Sequence, residues 1–95
     1  MKLTTIRFSG HAVRQMFQRR ISVEDVQAVI DHGEIVVSYS DDHPFPSHLL
    51  LGLVGGRHIH LVLGVDETTA TGIVVTAYHP DPELWSPDFR TRRTE

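Results

Sequence analysis

The residues best suited to chemistry stand in an apolar segment, residues 49–63. Two runs of Leu, Val and Ile flank Gly55-Gly56, and such a pair predicts a β-hairpin because both glycines can take positive φ. Side chains alternate along a strand, so Arg57 lies on one face of the second arm and His58 and His60 on the other, unless Arg57 lies in the turn or a bulge intervenes. Imidazole titrates near neutral pH and suits proton transfer. This arm is therefore a candidate functional site.

The same histidines raise the alternative of a metal site. His58 and His60 share a strand face and could chelate a cation, with His79, Asp81 or His48 completing the set. The acidic residues are not spaced around the pair in a recognised metal motif, so no metal and no cofactor is predicted. A further alternative is that His60 is a structural residue of a half-buried strand.

A second group of polar side chains lies on the first predicted helix, Gly10 to Arg20, with Ser9 as its N-cap. At 100° per residue, Val13, Met16 and Phe17 fall on one side of this helix. The other side is polar, and it is either a solvated surface or part of a site. It carries His11, Arg14, Gln15 and Gln18.

The elements that position these residues follow from periodicity and turn signals. Ser22 to Asp25 has the form of a capping box. It predicts a second helix from Val23 to His32, with Val26, Val29 and Ile30 inward and Gly33 as a left-handed stop. Strands are predicted over residues 34–40, 47–54, 57–65 and 72–78.

These elements predict one α+β domain over residues 1–95, with two N-terminal helices packed on a four-stranded antiparallel meander. Thr4 to Phe8 is either a short edge strand or an extended lead-in. The segment 79–95 is predicted to be an irregular tail, which Trp85 and Phe89 pin to the body or to a partner.

Composition limits the kinds of covalent and metal sites and the cellular location that this chain is expected to have. The chain has 95 residues and no cysteine, so disulfides and thiolate metal sites are excluded. No apolar run reaches membrane-spanning length, and the first residues lack a signal-peptide core. A cytoplasmic protein that does not contact a membrane is expected.

Charge is divided along the chain, although the net charge is only −3. Residues 1–20 hold five cations and no acid, residues 21–88 hold eleven acids with Arg57 as their single base, and three arginines follow. Either the basic ends meet in a positive patch, or they pair with the acidic middle.

Spaced motifs over residues 9–93 resemble the DUF4258 family of small bacterial proteins. The resemblance implies a relation to the RelE/ParE and BrnT toxins of type II toxin-antitoxin pairs, whose fold is two helices followed by an antiparallel sheet. Gln18 and Arg20 depart from the family, which has Glu and Gly there. The motifs are His11-Ala12-Val13-Arg14, Gln18 to Ser22, Gly33 to Val36, Gly55 to Val62, Val75 to Asp81 and Trp85.

The resemblance implies an antitoxin partner and a metal-independent endoribonuclease, whose RNA substrate is either free or ribosome-associated. Such chemistry needs a general base, a general acid and cations for the phosphate. His11 and His60 are the expected proton-transfer pair, with Tyr78 as a hydrogen-bond donor or stacking surface. The expected phosphate-binding residues are Arg14, Arg19 and Arg57. The competing hypothesis is a non-catalytic module that binds RNA or protein.

Overall fold

The structure is a computed structural model, and it describes residues 2–94, so that Glu95 of the predicted tail lies outside the described residues. Two helices and five strands follow one another along the chain. They are β1 (Thr5–Phe8), α1 (Gly10–Arg19), α2 (Val23–His32), β2 (Glu34–Tyr39), β3 (Ser47–Val54), β4 (Arg57–Asp66) and β5 (Thr71–Tyr78).

The strands form one mixed sheet in the order β1-β5-β4-β3-β2. The α+β class agrees with the prediction, but the predicted sheet of four antiparallel strands is incomplete. Of the two alternatives for residues 4–8, the short edge strand is confirmed, because β1 lies at the edge of the sheet and pairs in parallel with β5. Ile6 and Phe8 then pack against the core, which explains why the strand is retained at the edge.

The predicted hairpin is confirmed. Gly55 and Gly56 have φ of +58° and +79°, and β3 pairs with β4 from Val54 and Arg57 outward. Only the two glycines occupy the turn, so Arg57 is the first residue of the strand. Arg57 and His60 therefore project from opposite faces of the sheet.

Both helices pack on one face of the sheet. Ala12 and Met16 of α1 and Val26 and Val29 of α2 are buried with Ile59, Leu61 and Leu63 of β4. The predicted caps are present, since Ser9 accepts from the amide of Ala12 and Ser22 and Asp25 form the capping box.

The predicted left-handed stop at Gly33 is wrong. Gly33 has φ −74° and ψ 175°, which is extended backbone open to any residue. A side chain is excluded there by space, because a Cβ would lie 2.5 Å from the Val29 carbonyl oxygen and 2.8 Å from that of Leu51. The left-handed residue is instead Arg20, after α1, with φ 55° and ψ 44°.

The tail covers part of the other face of the sheet. Residues 79–94 contain no helix and only an isolated bridge between Trp85 and Arg92. Trp85 is buried and packs edge-on against His60 with ring centroids 4.5 Å apart. Phe89 contacts His58 at 4.7 Å. Within residues 2–94, no helix is long and apolar enough to cross a membrane.

Candidate functional site

His60 is fully buried, at 0% exposure, and both of its ring nitrogens have partners. Nε2 lies 2.8 Å from the backbone carbonyl of Phe89 in the tail. A carbonyl only accepts, so Nε2 carries the proton and Nδ1 is the acceptor of a neutral ring. The Tyr78 hydroxyl, 3.2 Å away, donates to Nδ1.

The surroundings of His60 favour its neutral form. Burial lowers the pKa of the imidazole, the hydrogen bond to the Phe89 carbonyl opposes that shift, and the nearby His58 adds to it. Burial also raises the pKa of the Tyr78 hydroxyl. The His60 ring on β4 is thus hydrogen-bonded to Tyr78 of β5 and to Phe89 of the tail. Neither of its nitrogens is free for a ligand in this conformation.

The Arg57 side chain contacts the C-terminal end of α1. Its Nη2 donates to the backbone carbonyl of Arg20 at 3.1 Å and lies 3.6 Å from the Asp25 carboxylate of the α2 capping box. The last carbonyls of a helix lack partners within the helix, so a cation there stabilises it. Arg57 therefore joins the β4 start to both helices, and its side chain is 45% exposed.

His79 completes this contact from the first residue of the tail. Its Nδ1 donates to the His58 carbonyl at 2.9 Å. In the neutral ring, Nε2 then accepts from Arg57 Nη1 at 3.4 Å, and it lies 3.3 Å from the Arg19 carbonyl. Sequence reasoning considered His79 only as a metal ligand. Its place in the motif Tyr78-His79-Pro80-Asp81, at the end of a strand, is the signal that marks it as structurally important.

The predicted proton-transfer pair is not brought together. Ile59 and Leu61, which flank His60, enter the core under the helices, so His60 points to the opposite face. His11 is exposed on α1, on the helical side of the sheet. Tyr78 is the one predicted site residue that His60 contacts.

The predicted phosphate-binding arginines lie on the helical side as well. Arg14 and Arg19 are exposed on α1, and Arg57 meets the end of that helix. Arg57 Nη1 and the backbone carbonyl of Arg19 lie 3.4 Å and 3.3 Å from the same nitrogen, His79 Nε2. Among residues 2–94, no hydrogen bond joins the three arginines to His60.

The alternative metal ligands are dispersed or already engaged. His48 Nδ1 lies 2.9 Å from the Ser38 hydroxyl, His58 packs on Phe89, and His79 faces the helix end. Within residues 2–94, no three His, Asp or Glu side chains are grouped to hold a metal ion.

The basic ends of the chain have different environments. Arg90 of the tail pairs with Glu34 and with Asp88, and its hydrogen bond lowers the pKa of the Glu34 carboxyl. Among residues 2–94, Arg57 and Arg90 are the two cations with a described carboxylate within ion-pair distance. Arg14 and Arg19 of α1 have no carboxylate of residues 2–94 within this distance.

One exposed face of α1 is unexpectedly apolar. Phe17 is 87% exposed and Val13 is 53% exposed, so they do not share the buried side of the helix with Met16 as predicted. Met16 and Ala12 face the core instead. We call the set Gly10, Val13, Arg14 and Phe17 the α1 contact face, and all four residues are exposed.

The architecture is a small mixed sheet with two helices on one face and the tail on part of the other. Residues 8–79 match the profile of a domain of unknown function, DUF4258. The chain belongs to this family. Neither the search of curated proteins nor the search of solved structures gave a match.

Proposed function

We propose that this protein acts by binding a partner protein on the α1 contact face, rather than by proton transfer between His11 and His60. The observation that carries the proposal is the exposure of Phe17, 87%, beside Val13, 53%. The two residues are one helical turn apart, so their side chains are neighbours on the surface.

Covering these side chains supplies a driving force for association. Fully burying a Phe or Val side chain contributes roughly 1.5–3 kcal/mol, and an aromatic residue in a desolvated pocket is a frequent binding hot spot. Other apolar side chains are exposed elsewhere, but Val13 and Phe17 are adjacent on one helix and form a contiguous apolar surface. A partner that covers them is the simplest physical account.

The toxin hypothesis stays a prediction. The expected relation to RelE/ParE and BrnT toxins would make the partner an antitoxin, which is consistent with a binding surface on α1. The geometry lends less support to the expected endoribonuclease, because His60 is buried with both nitrogens engaged and His11 lies on the other side of the sheet. Of the two hypotheses from the sequence, the non-catalytic one is better supported.

Co-expression with the product of the neighbouring reading frame tests the binding proposal. We expect the two proteins to co-elute, and Phe17→Ser to abolish the complex. Leu53→Ser is the matched control, since Leu53 is also an exposed apolar residue, 64%, but on β3. Complex formation that survives in Phe17→Ser, or no complex with the wild type, would contradict the proposal.

RNA incubation in EDTA separates the two hypotheses. The binding proposal expects intact RNA with the wild type. Cleavage that is lost in both His11→Ala and a His60 variant shown to be folded would restore the endoribonuclease and its proton-transfer pair.

A further inference from the structure

We infer that the α1 contact face accepts an acidic amphipathic α-helix from a different protein. This inference rests on the proposed function and specifies its partner. It follows from the spacing of the four residues, the sign of their surrounding charge and the chemistry of Phe17 and Val13.

The spacing is that of a helix-packing surface. Gly10, Val13, Arg14 and Phe17 stand at positions i, i+3, i+4 and i+7, which form one stripe along a helix. Gly10 has no Cβ, and beyond its chain neighbours and the helix backbone a Cβ there would meet the flexible Arg14 side chain, with Nη1 3.5 Å away. A second backbone can approach closely there, while Phe17 supplies the large apolar side chain at the other end.

The charged side chains on α1 are all positive. Residues 1–20 contain no acid, and Arg14, Arg19 and Arg20 on and beside α1 are exposed. None of these three arginines has a carboxylate of residues 2–94 within ion-pair distance. A partner helix with glutamate or aspartate beside its apolar stripe would complement them, and such pairing raises association rate and specificity.

Two other occupants fit less well. A second copy that packed α1 on α1 would face arginine with arginine, and α1 offers no acid to offset that repulsion. An RNA strand would suit Arg14 and could stack on Phe17, but Val13 has no aromatic face and the whole chain carries a net charge of −3. Nucleic-acid-binding domains are commonly basic.

The test uses the full chain and a synthetic helical peptide with a leucine stripe flanked by glutamates, measured by fluorescence anisotropy. Two further peptides carry glutamine or lysine in place of glutamate. We expect Phe17→Ser and Arg14→Glu each to weaken binding of the glutamate peptide by about tenfold or more. The matched controls Leu53→Ser and Arg7→Glu, which lie outside α1, should bind like the wild type.

A charge exchange gives the sharpest result. The lysine peptide should bind Arg14→Glu more tightly than it binds the wild type, and salt should weaken the wild-type complex with the glutamate peptide. Equal binding of all three peptides would overturn the acidic helix. Three other results would also overturn it. They are peptide binding that Phe17→Ser leaves unchanged, self-association that Phe17→Ser abolishes, and an RNA oligonucleotide that binds more tightly than the peptide at the same residues.

These results separate the inference from the proposed function. A neighbour protein that binds through Phe17, with no preference among the peptides, overturns the acidic helix and leaves the proposed function standing. Failure of every protein and peptide to bind through Phe17 overturns both.

Discussion

The Tyr78 hydroxyl donates to Nδ1 of the buried His60 ring at 3.2 Å, and the two residues are direct partners across β4 and β5. Replacing Tyr78 by Phe keeps the ring and leaves Nδ1 without a donor. An unsatisfied buried acceptor costs about 1–3 kcal/mol, so Tyr78→Phe should lower the free energy of unfolding by that amount in urea titrations. Tyr39→Phe, on a more exposed tyrosine, is the control and should change little.

The same ring makes folding stability depend on pH. Burial lowers the folded-state pKa of His60 below its ordinary value of 6.5, so the unfolded chain binds the proton more readily. The stabilisation is complete above pH 6.5 and is lost as the pH falls below 6.5 toward the lower folded-state pKa. His60→Gln should show a shallower loss of stability than the wild type between pH 7 and 5 in urea titrations. Parallel profiles would contradict this assignment.

Arg57 is expected to stabilise the helical hairpin. Arg57→Ala removes the donor to the Arg20 carbonyl and the cation beside Asp25. Because the side chain is partly exposed, the loss should be about 1 kcal/mol. Arg7→Ala, at an exposed position outside this contact, should be neutral. Thermal unfolding measures both, and an unchanged melting temperature for Arg57→Ala would show that the contact contributes nothing.

Arg20 holds a left-handed conformation that favours glycine. Its φ of 55° brings Cβ close to the following carbonyl, which costs roughly 1–2 kcal/mol for a residue with a side chain. Arg20→Gly should therefore stabilise the protein by about 1 kcal/mol in chemical denaturation. Arg20→Ala keeps the Cβ and should not reproduce the gain. Equal effects of the two substitutions would place the cause in the lost charge instead.

Local signals in the sequence predicted most of the fold. The caps at Ser9 and Ser22, the glycine hairpin and the apolar runs of β3, β4 and β5 are short-range features that the structure retains. The sequence predicts β1 only as one of two alternatives, because its four residues alternate weakly and its partner β5 lies far along the chain. Such a pairing depends on tertiary packing rather than on local propensity.

The candidate site was harder to predict. Alternation along β4 correctly placed Arg57 and His60 on opposite faces, but it could not show what covers each face. The burial of His60 depends on Trp85 and Phe89, which lie in an irregular segment.

The predicted apolar side of α1 is wrong in part, because Val13 and Phe17 are exposed. Periodicity groups Val13 and Phe17 with Met16 on one side of the helix, but it does not show which part of that side meets the sheet. In the structure, Ala12 and Met16 define the buried side of α1.

The packing of Trp85 and Phe89 against β4 also bears on where this folding unit ends. The family match stops at residue 79, before both aromatic residues, and it begins at residue 8, after most of β1. A fragment trimmed to residues 8–79 would bare the β5 edge and the surface around His60 together. A fragment of this chain cut at the limits of the family match is therefore expected to aggregate through that edge, and keeping both flanking segments should prevent it.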